Sequence, residues 1–261
     1  MAVMPYYHAY FMALVKKHGL SGDLLTYGRQ DAYGRQDLLE TRAREVGFPL
    51  TCVDPELARR LEAANPMHPS PNAQIGLQHG VILMNDQIYF RQLGFRSVTS
   101  MDAHPFEACT RVFDMNNHGV PEDLKGAFDV SMDLGTIEHV FHLPNFLLND
   151  FQMLKLGGLA FHLAPMNNFA NHGFYQISPT LLNDFYQANG FEILERHILK
   201  IFGDHWSDRL ETYALAEQQY VAPLARLDNE FYYSAILVRK TTRSTGDHIA
   251  QQYAYAQGAW K

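Results

Sequence analysis

Three aspartates close short apolar runs in the middle of the chain: Asp102 after SVTSM, Asp114 after RVF and Asp133 after FDVSM. A carboxylate at the end of a buried strand can accept two hydrogen bonds at once, as from the neighbouring hydroxyls of a ribose. Any one of them is equally well explained as a cap on the next turn. Three at successive strand ends point to a nucleoside-like ligand. A second constellation follows at once. Glu138-His139 lies just beyond Asp133, with His142, His162 and His172 further on, and His104 and His118 follow the first two runs. Histidine serves as a general base near neutral pH or as a metal ligand. The bland alternative for Glu138 is an acid placed at the positive end of a helix.

The segment PMNNFANHGFYQISP, residues 165–179, is the third feature. Asn168, His172 and Tyr175 offer hydrogen-bonding groups between Phe169 and Phe174, and apolar walls with a few placed polar groups make a ligand site. The same Asn and Gly content also suits a plain surface turn.

These residues need a scaffold that gathers strand ends. Apolar runs predict strands at Asp23–Tyr27, Ser97–Met101, Arg111–Phe113, Phe128–Met132, Leu159–Ala164, Phe191–Ile198 and Tyr232–Val238. Periodicity and caps predict helices at Tyr6–Lys17, Arg35–Val46, Pro55–Ala64, Asn85–Leu93, Phe146–Leu154 and Pro179–Ala188. The stretch Asn65–Gly80, rich in Pro, Asn and Gly, predicts a long loop of the lid or binding kind. Strands alternating with helices imply a mostly parallel sheet covered on both faces, with ligands beyond the carboxyl ends of its strands.

The segment from Ser97 to Pro165 resembles the second to fifth strands of the class I S-adenosylmethionine-dependent methyltransferases. The pieces that carry the resemblance are SVTSMDAH, RVFDMNN, FDVSMDLGTIEHV and LKLGGLAFHLAP. The implied fold is α/β, a doubly wound, mostly parallel seven-stranded sheet of the Rossmann-like methyltransferase kind over residues 1–240. A helix-loop insertion falls at about 49–80, and residues 241–261 form a polar tail that either stays loose or packs on a partner. The resemblance implies a cofactor set of Tyr27, Gly28, Arg29, Gln30, Asp102, Ala103, Asp114, Met115, Asp133 and Gly135. In it Asp102 holds the ribose, Asp114 and Met115 the adenine, and the segment after Asp133 the methionine end.

The family's first strand ends in a glycine-rich loop. The candidate here is LLTYGRQDAYG, Leu24–Gly34, with Arg29, Gln30 and Asp31 filling its middle. Gly28 can supply the sharp turn. Arg29 suits the methionine carboxylate, or else a salt bridge. The implied activity is methyl transfer from S-adenosylmethionine to an oxygen or nitrogen of a small molecule. His139 and Glu138 are then the catalytic candidates, and Asn168, His172 and Tyr175 bind the acceptor. The alternative is a methyltransferase-like binding or assembly subunit without catalysis. Some superfamily members hold a divalent ion with E-x-x-E-H, but Gly135 stands where the first Glu would be. No metal is therefore expected, and an ion on Glu138, His139 and His162 or His172 is the lesser alternative.

Composition narrows the partners. The net charge of -7 argues against nucleic acid, which needs a basic face. No apolar window is long enough to span a membrane. The two cysteines, Cys52 and Cys109, lack zinc spacing and suit reduced thiols in a cytoplasmic protein. A homo-oligomeric state is left open.

Overall fold

The structure, a computed structural model, describes residues 2–66, 82–105, 108–203, 209–215 and 228–256. The described chain forms two compact units, the first made of the residues up to Asp114 together with Arg209, the second of the rest.

In the first unit, β1 (Ala2–Val3), β3 (Asp31–Gly34) and β4 (Ile82–Met84) form a small sheet in the order β1-β3-β4. Helix α1 (Tyr7–His18) buries Phe11, Leu14 and Val15 and stops at Gly19, whose left-handed backbone (φ 64°) lets its N–H reach Val15 O. Strand β2 (Gly22–Tyr27) lies parallel to β5 (Phe95–Asp102), which lies parallel to β6 (Arg111–Val112). Helix α2 (Gln36–Val46) ends at Gly47. Helix α3 (Pro55–Ala64) starts where Asp54 accepts the N–H groups of Glu56 and Leu57, with proline in its first turn. Helix α4 (Asp86–Gln92) is capped in the same way by Asn85.

In the second unit, β7 (Phe128–Asp133) pairs in parallel with β8 (Leu154–Asn167). Helix α5 (Leu143–Met153) joins them and buries Phe146, Leu147 and Met153. Helix α6 (Pro179–Ala188), capped by Ser178, leads to β9 (Glu192–Ile201). Strand β10 (Leu210–Ala214) runs antiparallel to β9, and β11 (Phe231–Arg239) runs antiparallel to both β8 and β9. A last short helix, α7, covers Tyr253–Ala256. Within the larger sheet the strands run β2-β5-β6 in the first unit and β10-β9-β11-β8-β7 in the second, and the fold is α/β and doubly wound.

Several expectations need correction. The sheet has eight strands rather than seven, because Leu210–Ala214 adds an edge strand to β9. The Asp31–Gly34 part of the expected glycine loop is strand β3, paired with β1 and β4. Strand β8 begins at Leu154, earlier than the expected Leu159, and takes in Leu156-Gly157-Gly158: Phe128 pairs with Leu154 but Val130 with Leu159, so Lys155–Gly158 bulge out of the ladder. Gly158 is needed there, since a Cβ would stand 2.9 Å from Lys155 O. Helix α5 begins at Leu143, three residues earlier than expected, because Pro144 suits the first turn. Most of the long loop expected at Asn65–Gly80 lies outside the described residues.

The expected tail is docked as far as it is described. Thr241 and Ser244 hydroxyls donate to Gly190 O, Thr245 N–H to Asn189 O, and Tyr253 N–H to Asp184. No helix among the described residues is long and apolar enough to cross a membrane.

Candidate functional site

In the first unit, the parallel pairing of β2, β5 and β6 sets three strand ends side by side. Gly28 follows β2 in the left-handed region (φ 71°), and its N–H bonds to Met101 O, one residue before Asp102. Asp102 is half-buried, and its Oδ1 accepts the N–H of His104 at 3.0 Å. Its carbonyl accepts the N–H of Phe113, which brings Asp114 to the same edge. Ala103 beside it is exposed.

The other expected cofactor residues of this unit are committed inward. Tyr27 is fully buried. Arg29 is 5% exposed; it donates to Pro66 O at 2.6 Å and Asn65 O at 3.2 Å, and its Nε lies 3.6 Å from buried Asp86. Gln30 is buried and donates to Tyr27 O. Arg29 and Gln30 thus brace the turn from behind.

In the second unit, Met115 is buried. Asp133 is fully buried at the end of β7. Its Oδ1 accepts the N–H groups of Thr136 and Ile137, and its Oδ2 lies 3.1 Å from His162 Nδ1. Gly135 takes φ 102° inside this turn. The carboxylate of Asp133 therefore shapes the turn, and what the turn presents is backbone and the residues beyond it.

Behind Asp133 lies a buried polar network. His162 on β8 is hydrogen-bonded through Nε2 to Tyr186 Oη, and Tyr186 donates to Asp150 Oδ2 at 3.4 Å. His162 Nε2 is itself 3.7 Å from Asp150. All four side chains are closed to solvent. Burial alone pulls the imidazole pKa down, but the two carboxylates outweigh it and lift the pKa to about 9. Burial next to Asp150 pushes the Tyr186 phenol up. His162 is therefore a structural cation, and the ion reading that included it gains no geometry.

The turn after Asp133 carries a different cluster. Glu138 is fully buried, and neither of its carboxylate oxygens has a hydrogen-bond partner. His139 Nε2 stands 3.7 Å and His172 Nε2 3.5 Å from Glu138 Oε1. The two imidazoles are 44% and 49% exposed, with ring centres 5.1 Å apart. Burial raises the Glu138 pKa, opposed by His172. Burial, together with neighbouring His172, lowers that of His139 and favours its neutral form.

The 165–179 segment is tied to this cluster by its backbone. Phe174 and Tyr175 N–H groups both bond to Glu138 O, and Asn168 and Asn171 adopt left-handed conformations (φ 66° and 65°). Gly173 is required: a Cβ there would meet Glu138 O at 2.8 Å. Tyr175 donates to Phe141 O, while Asn168 donates to the carbonyls of Asp228 and Glu230 and so anchors the start of β11. Phe141 and Phe174, 60% and 66% exposed, pack edge to face beside the cluster.

Asp150, Tyr186 and Phe141 were not among the expected residues. For Asp150 a signal existed: it sits four residues after Phe146 and three after Leu147, on the face that α5 buries. An acid on an apolar face needs a partner. Separately, a groove of about 510 Å³ lies between α5, α6 and residues 246–252, and of the residues singled out in the sequence His118 lines it.

No family model matches the chain, and no curated protein matches it in sequence. Among solved structures, the 1,6-didemethyltoxoflavin-N1-methyltransferase of Burkholderia thailandensis, crystallised with its substrate and S-adenosylhomocysteine, is 12% identical. Its match covers 90% of this chain and 79% of that one, with a TM-score of 0.45. A SAM-dependent methyltransferase from Thermotoga maritima is 16% identical over 91% of each chain, TM-score 0.41. The branched-chain polyamine synthase of Thermus thermophilus is 18% identical over 96% of this chain and 60% of its own, TM-score 0.39. At such scores the activity has to be argued from the site itself.

Proposed function

We propose that the chain is an S-adenosylmethionine-dependent methyltransferase acting on an oxygen or nitrogen of a small molecule. The observation that carries this reading is the first unit's strand edge, where parallel β2, β5 and β6 bring Gly28, Asp102 and Asp114 together. The residues present suit the adenosine half of the cofactor. Gly28 has no side chain to hold a ligand away from the turn, Asp102 can accept from ribose hydroxyls, and Asp114 can accept from the adenine amino group. Ala103 follows Asp102 at this edge, and Met115 follows Asp114 in the chain.

When bound, the cofactor supplies an electrophilic methyl group. What the protein must add is alignment of the acceptor, for which proximity is the dominant contribution. His172, Tyr175 and Asn168 are the proposed acceptor contacts, with Phe141 and Phe174 as apolar walls. Glu138 and His139 are the proposed catalytic pair. A neutral His139 can take the proton that the acceptor loses as its lone pair attacks.

A second reading has its own support. Arg29 is held by Asn65, Pro66 and Asp86, and residues 31–34 form a strand rather than a glycine cradle. The methionine end of the cofactor therefore lacks the expected first-loop contacts, which favours a methyltransferase-like binding subunit. Calorimetric titration with S-adenosylmethionine and S-adenosylhomocysteine, followed by methyl transfer to a small-molecule panel, separates the two. Cofactor binding with product supports the enzyme; cofactor binding with no product from any acceptor supports the binding subunit.

A further inference from the structure

We infer that Glu138, His139 and His172 form a binding site for a divalent transition-metal ion of the zinc class. One donor atom from each of the three lies within 4.8 Å of the others, a grouping that no other His, Cys, Asp or Glu set makes among the described residues. Four-coordinate zinc with ligands at about 2.1 Å requires donors about 3.4 Å apart. The Glu138–His172 and Glu138–His139 separations of 3.5 and 3.7 Å are already close to that, so small side-chain rotations complete the set.

The second, independent observation is the state of Glu138 itself. Its side chain is closed to solvent, and both oxygens lack a hydrogen-bond partner. A buried carboxylate in that condition is costly. A cation between its oxygen and the two imidazoles removes the cost, because each of the three groups binds a metal in its unprotonated form. The backbone fixes the geometry before any ion arrives. Phe174 and Tyr175 N–H groups clamp Glu138 O, and Gly173 lets the His172 loop approach to contact distance. A site held this way loses little freedom on binding.

Chemistry selects the ion. Two imidazoles and one carboxylate suit zinc, cobalt, manganese or ferrous iron, whereas magnesium and calcium prefer sets made of oxygen. With three protein ligands, at least one coordination position stays open. The exposure of both imidazoles places that opening toward solvent, beside Phe141 and Phe174. The inference does not rest on methyl transfer, because ion binding is measured without cofactor or acceptor; with the ion bound, His139 and His172 serve as its ligands in place of the proton-accepting and acceptor-binding roles proposed above.

The test uses the full chain, stripped with chelator and titrated with Co²⁺ while visible absorption is recorded, then with Zn²⁺ in competition. The expected result is one equivalent of Co²⁺ with ligand-field bands, displaced by Zn²⁺. Glu138→Gln and His172→Ala should each weaken binding by more than about tenfold, since even loss of an outer-shell partner costs that much. His118→Ala, an exposed histidine outside the cluster, should leave it unchanged. Circular dichroism of the variants matching the parent shows that folding is intact. His172 is half-exposed, so that variant serves if Glu138→Gln does not fold. No bound cobalt in the parent, or equal binding by parent and His172→Ala, overturns the inference.

Discussion

Replacing His162 with leucine tests the buried network behind the site. The imidazole lies between Asp133 and Asp150, and all three side chains are fully buried. Leucine fills similar space but removes the positive charge that Asp133 Oδ2 and the Asp150–Tyr186 pair face. Breaking one side of a buried ion network costs about 3–5 kcal/mol, a large share of the roughly 5–15 kcal/mol that holds a domain together.

The pH dependence gives an independent handle on the same group. The folded-state pKa of about 9 lies above the ordinary 6.5. The stabilisation is therefore fully present below pH 6.5 and is lost as pH rises through 9. Across that window it amounts to about 3 kcal/mol. Urea unfolding at several pH values between 5.5 and 10 measures both effects. The parent should lose stability toward pH 10, and His162→Leu should start lower and lack that slope. His162→Leu combined with Asp150→Asn should recover part of the loss, because one stranded charge is gone. A single-variant loss under about 1 kcal/mol, with the parent's pH slope retained, would refute the reasoning.

Two further predictions concern other groups. His8 is buried between Tyr89 Oη and Tyr33 O, and burial lowers its pKa to about 4. Stability from the neutral ring is complete above pH 6.5 and is lost as pH falls toward 4, by about 3 kcal/mol; acid titration of His8→Gln should lack this component, and an unchanged acid limb would contradict it. Gly173→Ala forces a Cβ to 2.8 Å from Glu138 O. It should cost about 1–3 kcal/mol in urea unfolding and displace the His172 loop, seen as loss of the cobalt spectrum; a variant with parental stability and spectrum would show that the clamp is not needed.

The larger sheet was legible because its inner strands are apolar runs with sharp ends. SVTSM, FDVSM and LAFHLA all fall inside observed strands, and the helices with side-chain caps, at Asp54, Asn85 and Ser178, begin where those caps stand. What escaped was short or non-local. Strand β3 has four residues and β4 three, too few for a period to show, and their pairing spans some fifty positions. The KLGG stretch reads as a turn and does bend like one, but it bends inside a strand held by β7 and Lys240. The site divides in the same way. Asp102 and Asp114 were visible at strand ends, whereas the joining of His172 to Glu138–His139 depends on two loops meeting through backbone hydrogen bonds. Arg29 had a plausible ligand role in sequence, but the carbonyls of Asn65 and Pro66 that hold it come from the far end of α3.

The central claim is that the edge formed by Gly28, Asp102 and Asp114 binds S-adenosylmethionine. Calorimetry of the purified chain with S-adenosylmethionine and S-adenosylhomocysteine, run beside Asp102→Ala, tests it most directly. The account predicts one site per chain in the parent and at least tenfold weaker binding in the variant, the loss of about 1.4 kcal/mol or more expected from charge-assisted hydrogen bonds to the ribose. No binding of either compound by the parent, or equal binding by parent and Asp102→Ala, would contradict it.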